Sequence, residues 1–302
     1  MKRRHFIKTT TTAAAIGVSG IGLSSFTKPQ HQKHITILHT NDVHSHIDPF
    51  PKNHSKYPNL GGAKRRFNYI NHVKKENPNT LILDAGDAFQ GTPYFNFYGG
   101  ELEYKIMSKL GYHASTIGNH EFDNGIDNIA AQLEYAQFDL LNANYDLSNT
   151  SLNGLTKPYQ VYEIDGINIG VFGLGIELKG LVSKDLYKET KYLDPVEVAK
   201  DQVKILKRNE HCDLIICLSH LGYSYKSKKI DDLKLAKQTQ DIDLIIGGHT
   251  HTFLDQPTQI KNAKGKNVIV NQVGWAGINM GRIDFYLNDV ENWQNSGTSL
   301  EV

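Results

Sequence analysis

The chain has 302 residues, of which 39% are hydrophobic and 22% carry a charge, as in an ordinary soluble globular protein. Its 33 basic residues nearly balance its 32 acidic residues, for a formal net charge of +1. This balance argues against a surface that binds nucleic acid or an anionic membrane. Beyond the N-terminus no run of about 20 apolar residues occurs, so we expect no membrane span in the mature protein.

The N-terminus resembles an export signal of the twin-arginine type. Residues 2–8 read KRRHFIK, a basic segment with two adjacent arginines, and a mildly apolar stretch runs from Thr9 to about Phe26. We predict that residues 1–30 are this signal, with removal near residue 30 and a periplasmic or otherwise extracytoplasmic location. The alternative is an exposed basic tail.

Further along the chain, short apolar runs alternate with longer amphipathic stretches, the pattern expected of strands buried between helices. Asp165-Gly166 predicts a hairpin, and Asp194-Pro195 predicts a helix start. In chain order we predict a strand at 35–40, a helix at 61–77, a strand at 80–87, a helix at 101–110 closed by Gly111, a strand at 113–120, a helix at 125–137, a strand at 139–146, a hairpin at 159–175, a helix at 195–209, strands at 213–220 and 241–251, and antiparallel strands at 267–277 and 278–287.

These elements predict one α/β domain over residues 31–302. Ten or more strands with helices between them favour two sheets that pack together and are covered by helices. Cys212 directly precedes the strand predicted at 213–220 and Cys217 lies within it. Five positions apart in extended backbone, they point to opposite faces and cannot form a disulfide with each other. We predict that both are buried thiols.

Side chains able to bind a metal follow five of the predicted strands. Because loops at the carboxyl ends of strands share one crevice in an α/β protein, we expect these side chains to meet. Asp42 and His44, like His249 and His251, are two positions apart, which in extended backbone places both on one face. The five sets are Asp42 and His44; Asp84 and Asp87; Asn119, His120 and Asp123; His220; and His249 and His251.

The number and type of these donors predict two metal ions. They are too many for one tetrahedral ion and too rich in nitrogen for calcium or magnesium alone. Two divalent transition metals that share a carboxylate account for the set, with Zn, Mn and Fe all suitable. The other histidines are predicted to be surface or core groups: His5, His31, His34, His39, His46, His54, His72, His113 and His211.

Two segments, ITILHTNDVHSHI and YHASTIGNHEFD, resemble the signatures of the 5′-nucleotidase family within the calcineurin-like metallophosphoesterases. LILDAGDAFQGTPYF, LSHLG and GGHTHTFL are similar to the family's other blocks, in the same order. The resemblance covers the whole predicted domain. It implies an α/β fold, a four-layered αββα sandwich of the metallophosphoesterase (calcineurin-like) type.

The resemblance also implies how the site residues divide their roles. His120, oriented by Asp123, would be a catalytic pair that does not bind metal, with Asn119 beside it. Asp84 would lie outside the ligand set, and we predict a structural role for Glu121, such as capping the following helix. One metal would be held by Asp42, His44, Asp87 and His251, and the other by Asp87, Asn119, His220 and His249, with Asp87 bridging.

The implied activity is hydrolysis of nucleotide phosphate esters by a dinuclear-metal phosphoesterase, through attack of a metal-bridging hydroxide. The same ligands would also serve a UDP-sugar hydrolase, a 2′,3′-cyclic nucleotide hydrolase or an enzyme that cleaves sulfate-type esters. A different class, the non-catalytic metal-binding subunit, has no use for the pair formed by His120 and Asp123, which argues against it.

Family members continue into a second domain that recognises the nucleotide, and this sequence ends before it. We expect a separate polypeptide to supply that domain; the alternatives are an enzyme of broader specificity and a truncated sequence. Four aromatic residues after Asp87 are predicted to form an apolar rim for a substrate or that partner, with ordinary packing as the alternative. They are Tyr94, Phe95, Phe97 and Tyr98.

Overall fold

Two six-stranded sheets form the centre of the fold. The structure, a computed structural model, describes residues 32–288 and 292–302, so the predicted export signal at 1–30 lies outside the described residues. In chain order the strands are β1 Lys33–Thr40, β2 Thr80–Asp84, β3 Ala114–Thr116, β4 Asp139–Leu141, β5 Tyr145–Asp146, β6 Tyr159–Ile164, β7 Ile167–Leu174, β8 Lys191–Tyr192, β9 Leu214–Ser219, β10 Leu244–Gly247, β11 Thr258–Lys261, β12 Asn267–Asn271, β13 Asn279–Asn288 and β14 Asn292–Glu301.

The helices lie between these strands along the chain. They are α1 Ala63–Glu76, α2 Pro93–Tyr98, α3 Glu101–Leu110, α4 Ile126–Gln132, α5 Lys184–Tyr187, α6 Pro195–Arg208 and α7 Asp232–Gln238, with short 3₁₀ turns at His120–Asn124 and Leu133–Tyr135. Among the described residues, none of the helices has the length and apolar character that crossing a bilayer requires.

Each sheet has a parallel centre. The first sheet has the order β14-β13-β1-β2-β3-β4, in which β1 to β4 run parallel. β13 pairs antiparallel with β1, and β14 pairs antiparallel with β13. The second has the order β11-β12-β10-β9-β7-β6, with β6 and β11 antiparallel at its edges. The loops after β1, β2, β3, β9 and β10 therefore leave the carboxyl ends of parallel strands, where α/β proteins place their sites.

Alternate residues of the strands fill the space between the sheets. Ile37 of β1 and Ile216 of β9 belong to one buried apolar cluster shared by both sheets. Leu38 faces the other way, into a cluster with Ile70 of α1, and Ile245 packs outward with residues of α6 and α7. Helix, sheet, sheet and helix thus form four layers, which confirms the predicted αββα sandwich.

Local sequence signals predicted several element boundaries correctly. Asp165 and Gly166 adopt φ of 54° and 68° and join β6 to β7 as a hairpin. Asp194 caps α6, because its carboxylate accepts the backbone N–H groups of Val196 and Glu197. Gly111 closes α3 in the left-handed conformation.

Other predictions about the elements were wrong. β12 runs parallel to β10 and is antiparallel only to β11. The predicted strand at 139–146 divides into β4 and β5, and the polar C-terminal stretch forms β14 against β13. The short helices α2, α5 and α7 were not predicted, since each is about two turns long or less and has little periodic pattern.

The two cysteines are buried and free, as predicted. They do not lie on opposite faces of one strand, however. Cys212 comes before β9 begins, and it packs into the same outer apolar cluster as Cys217. Burial raises the pKa of both thiols, to about 11 for Cys212.

Candidate metal centre

The loops after β1 and β2 run side by side beyond the ends of their strands. The backbone N–H of Asp42 donates to the carbonyl of Gly86 at 2.9 Å, and that of His44 donates to the carbonyl of Asp87 at 3.0 Å. The pairing of the two strands therefore continues into the loops. As a result, Asp42, His44 and Asp87 are held on one rigid frame.

Left-handed backbone conformations are concentrated in these two loops and in the loop after β10. This conformation costs a residue with a side chain roughly 1–2 kcal/mol and tends to occur at functional sites. Because the loops curl at these positions, the extended geometry predicted for the pairs two residues apart was wrong. The φ values are 49° at Asp42, 50° at His44, 57° at Asp87, 71° at His249 and 50° at His251.

Asp42, His44 and His251, which we call the first group, bring their donor atoms within 4.8 Å of one another. Nε2 of His251 lies 3.4 Å from Oδ1 of Asp42 and 3.0 Å from Nε2 of His44. Asp42 and His44 are buried, whereas the side chain of His251 is 40% exposed. The first group therefore lies where the site opens to solvent.

Asp87, His220 and His249, the second group, also have donor atoms within 4.8 Å of one another. Oδ2 of Asp87 lies 2.9 Å from Nε2 of His220 and 3.9 Å from Nε2 of His44. Asp87 thus stands between the two groups, as a shared carboxylate would. Asn119 joins the second group, with its Oδ1 2.8 Å from Nδ1 of His249.

Backbone carbonyls fix the direction of two of the imidazoles. Nδ1 of His220 lies 2.7 Å from the carbonyl of Ala85, and Nδ1 of His44 lies 3.2 Å from that of Phe89. A neutral ring that donates from Nδ1 to a carbonyl has its lone pair on Nε2. In both residues Nε2 faces the group.

The donor set fits two divalent cations. The buried Nε2 of His220 has no hydrogen-bond partner, although it lies 2.9 Å from a carboxylate oxygen. The facing Nε2 atoms of His44 and His251 likewise place two ring nitrogens at 3.0 Å. A mixture of imidazole, carboxylate and amide donors suits Zn, Mn or Fe.

The protonation states of the site residues bear on whether they could bind divalent cations. Burial lowers the pKa of His44, and burial lowers that of His249 to about 4, so both rings are neutral near pH 7. Burial also opposes ionisation of Asp87, but the nearby His220 outweighs it and lowers the pKa of that carboxyl. Burial opposes protonation of His220, but the carboxylate of Asp87 outweighs it and raises the pKa of that ring to about 10. A divalent cation at Nε2 of His220 would therefore displace a proton, whereas His44 and His249 are already neutral.

His120 lies at the edge of the second group without belonging to it. Its Nδ1 is 2.8 Å from Oδ2 of Asp123, and this hydrogen bond raises the pKa of His120 to about 9. Its backbone N–H donates to Oδ1 of Asp87 at 2.8 Å, and its ring stands edge-on to that of His44 with centroids 5.1 Å apart. His120 is therefore a partly exposed imidazolium beside both groups.

Glu121 has a structural role in the loops and does not cap the following helix. Its buried carboxylate accepts the N–H groups of Gly118 at 2.6 Å, Asp87 at 3.0 Å and Ala88 at 2.7 Å. The side chain instead binds the loop after β2, more than 30 positions away in the chain, which agrees with the predicted structural role although not with capping as its form. Glu121 therefore joins the loop after β3 to the backbone of Asp87.

Asp84 and the four candidate rim residues differ in their hydrogen bonds and in their exposure to solvent. Asp84 accepts hydrogen bonds from the N–H of Gly86 and the hydroxyl of Thr40, and is part of neither group. Phe95 is a packing residue, the second of the two alternatives, since it is buried against Phe89. Tyr94 donates to Asp48, while Phe97 is 82% exposed and Tyr98 is 50% exposed.

Trp275 is a neighbour of the site that the sequence analysis missed. Its ring is nearly parallel to that of His251, at 7°, with centroids 5.7 Å apart. The glycines on either side of Trp275-Ala276 were the available signal, because glycines flanking an aromatic residue after a strand are typical of a shaped loop. No ligand-type residue accompanies the tryptophan in that stretch of the sequence.

The sequence is similar to that of known phosphoesterases. Residues 35–253 match the family model described as calcineurin-like phosphoesterase. The chain is 33% identical over 300 residues to the trifunctional nucleotide phosphoesterase protein YfkN of Bacillus subtilis, covering 89% of this chain and 19% of that protein. It is 36% identical over 236 residues to the 5′-nucleotidase of Rattus norvegicus, covering 73% and 38% respectively.

A solved structure is also similar. The crystal structure of a 5′-nucleotidase precursor from Thermus thermophilus superposes with a TM-score of 0.82 and 35% identity, covering 89% of this chain and 55% of that one. The chain thus spans between 19% and 55% of the length of these three proteins.

Proposed function

We propose that this chain, which belongs to the calcineurin-like phosphoesterase family, hydrolyses phosphate esters of nucleotides at a centre of two divalent metals. The observation that carries the proposal is the placement of the first and second groups side by side, with the carboxylate of Asp87 between them. The similarity to a nucleotide phosphoesterase and to two 5′-nucleotidases supports nucleotide esters as the substrate class.

The first group, together with Asp87, would hold one metal, and the second group with Asn119 would hold the other. When bound, two such ions supply Lewis-acid activation of water and neutralise charge on the phosphoryl oxygens. Asp87 is suited to the shared position because a carboxylate offers two oxygens, whereas an imidazole offers one lone pair. Asn119 contributes a neutral oxygen and so adds no negative charge beside an anionic substrate.

His120 would act on the phosphoryl group as a donor. Because Asp123 occupies Nδ1, the proton available to substrate is on Nε2. With a pKa raised to about 9 by the bond to Asp123, the ring carries a positive charge near pH 7 and can stabilise negative charge that grows in the transition state.

A panel of esters separates this function from its alternatives. The reconstituted protein should be assayed on AMP, UDP-glucose, 2′,3′-cyclic AMP and a chromogenic phosphate monoester, each with Mn, Zn and Co. We expect AMP to have the highest kcat/KM. A higher value for UDP-glucose or the cyclic nucleotide would identify that hydrolase instead. Protein that holds two metals but is inert on every ester, both alone and with a candidate partner polypeptide, would indicate a non-catalytic subunit.

Two further predictions concern a partner and the location of the protein. A separate polypeptide that carries a nucleotide-recognition domain stays a prediction, which co-purification from the native source would test. Export through residues 1–30 to an extracytoplasmic location also stays a prediction. N-terminal sequencing of the secreted or periplasmic protein would test it, and an N-terminus near residue 31 is expected.

A further inference from the structure

A row of aromatic rings leads away from the first group toward the surface. Trp275 lies nearly parallel to His251, Tyr57 follows with its centroid 6.4 Å from Trp275, and Phe253 follows at 6.2 Å from Tyr57. We call Trp275, Tyr57 and Phe253 the aromatic row. It begins at a candidate metal ligand and ends at Phe253, which is 39% exposed.

Backbone pairing between two loops holds the row in place. Phe253 forms a β-bridge with Val273, and the N–H of Gly274 donates to the carbonyl of Thr252 at 2.9 Å. The ring of Phe253 packs so closely on Gly274 that a Cβ there would overlap it. The rings are thus ordered in advance, which lowers the entropy cost of binding a ligand.

The same loop is tied to the first group. The N–H of Ala276 donates to the carbonyl of Asp42 at 2.7 Å, and the side-chain amide of Asn41 donates to the carbonyl of Gly274, also at 2.7 Å. The distance between the aromatic row and the first group is therefore set by hydrogen bonds. A ligand that spans both would meet a fixed geometry.

Tyr57 comes from the loop between β1 and α1 and packs against two other rings of that loop. Its ring is nearly parallel to that of His54, at 10° with centroids 5.8 Å apart, and lies 5.6 Å from that of Phe50. The ammonium of Lys56 lies 5.0 Å from the Tyr57 centroid. Because Lys56 is exposed, a ligand that contacts the Tyr57 ring would displace this lysine.

We infer that the aromatic row binds the planar base of a nucleotide whose phosphate lies at the metal centre. This inference rests on the proposed function and adds the part of the substrate that this chain itself recognises. An uncharged aromatic base suits this surface because its face can stack on aromatic side chains, each such contact being worth about 1–3 kcal/mol. A phosphate ester without a base cannot use the row.

The test compares two substrates in matched variants. For Tyr57→Ala and Phe253→Ala, the ratio of kcat/KM for AMP to that for glycerol 2-phosphate should fall by roughly 5- to 150-fold, the range that a lost stacking contact gives. Phe253→Tyr keeps a ring and should retain the ratio. Phe67→Ala removes an exposed aromatic residue of α1, outside the row, and should leave the ratio at its wild-type value.

A binding experiment supplies a readout without activity. Saturation-transfer NMR should detect adenosine on the metal-free protein and lose the signal in the Tyr57→Ala/Phe253→Ala double variant. An unchanged ratio in both single variants, or a fall in the ratio with Phe67→Ala, would overturn the inference. So would an adenosine signal that is absent from the wild type or survives in the double variant. Hydrolysis of glycerol 2-phosphate by the wild type would still support the proposed phosphoesterase.

Discussion

At the scale of single residues, the proposed function separates metal binding from proton donation. His120 bonds to Asp123 through Nδ1, while the candidate ligands His44 and His220 direct Nδ1 to backbone carbonyls. A carboxylate partner on Nδ1 favours the imidazolium, whereas a carbonyl partner on Nδ1 directs Nε2 of the ring toward a cation. The same side chain therefore has two different chemistries within one site.

This division predicts the behaviour of His120→Asn. Because the side chain stands outside both groups, the variant should keep both metals but lose about 10²- to 10⁴-fold in kcat, the usual contribution of a proton donor. Metal content by inductively coupled plasma spectrometry and turnover on AMP would check this. His72→Asn, on the exposed side of α1, is the matched control. Loss of metal in His120→Asn would mean that His120 is a ligand.

Glu121 supports a second prediction at this scale. Its carboxylate accepts N–H groups from Gly118, Asp87 and Ala88, which Gln can replace only in part because one oxygen becomes an NH₂ donor. Glu121→Gln should weaken metal affinity by roughly 10- to 100-fold, as loss of a group that orients a ligand does.

Metal titration followed by calorimetry would measure this affinity, with the exposed Glu163→Gln on β6 as control. If high metal concentration restores wild-type turnover in Glu121→Gln, the residue acts through the position of Asp87. Unchanged affinity would show that the loop keeps its shape without this carboxylate.

At the scale of elements, the loops after β2 and β3 must approach each other closely. Gly118 faces Asp87 so tightly that a Cβ would overlap the Oδ1 and backbone N of that residue. The approach allows the N–H of His120 to reach Asp87 at 2.8 Å. Glycine at position 118 is thus a requirement of the contact between two loops.

Gly118→Ala should therefore displace Asp87 and lower both metal content and turnover, since the new methyl group has no space and the overlapped atoms belong to a candidate ligand. Gly154→Ala is a useful control because a Cβ there meets nothing within 4 Å, although its φ of 76° predicts some loss of stability. Metal analysis of both purified variants would compare them. Full metal occupancy in Gly118→Ala would contradict the argument.

At the scale of the whole molecule, the two sheets contribute different candidate ligands. Asp42, Asp87 and Asn119 follow strands of the first sheet, whereas His220, His249 and His251 follow strands of the second. Each group contains residues from both sheets. Metal binding would therefore add a link between the two halves of the sandwich.

A stabilising effect of metal follows from this arrangement. At a metal concentration 100-fold above Kd, binding to the folded state contributes about 2.7 kcal/mol, which for a domain of this size raises Tm by roughly 5–10 °C. Thermal unfolding with and without Mn or Zn would measure the shift, and EDTA should reverse it. Asp87→Asn should lose most of the shift. Equal Tm values with and without metal would contradict a site shared by the sheets.

Much of this protein could be predicted from short-range sequence signals. Asp165-Gly166 set a hairpin and Asp194-Pro195 set a helix start, because a turn or a cap depends on a few adjacent residues. The polar residues at five strand ends predicted convergence at one edge, because parallel strands bring their carboxyl ends together. The ligand assignment came from the family resemblance and stays a prediction, although the structure does bring those side chains together.

Contacts between distant segments required the tertiary structure. Three features depend on strand order, because they join segments that are distant in the chain. A left-handed turn places His249 and His251 in different groups, and Glu121 bonds to the loop of Asp87. The third feature is the stacking of Trp275 on His251. The parallel direction of β12 and the pairing of β14 have the same origin. Periodicity and spacing describe how one segment presents its faces, whereas the packing of two sheets decides which faces meet.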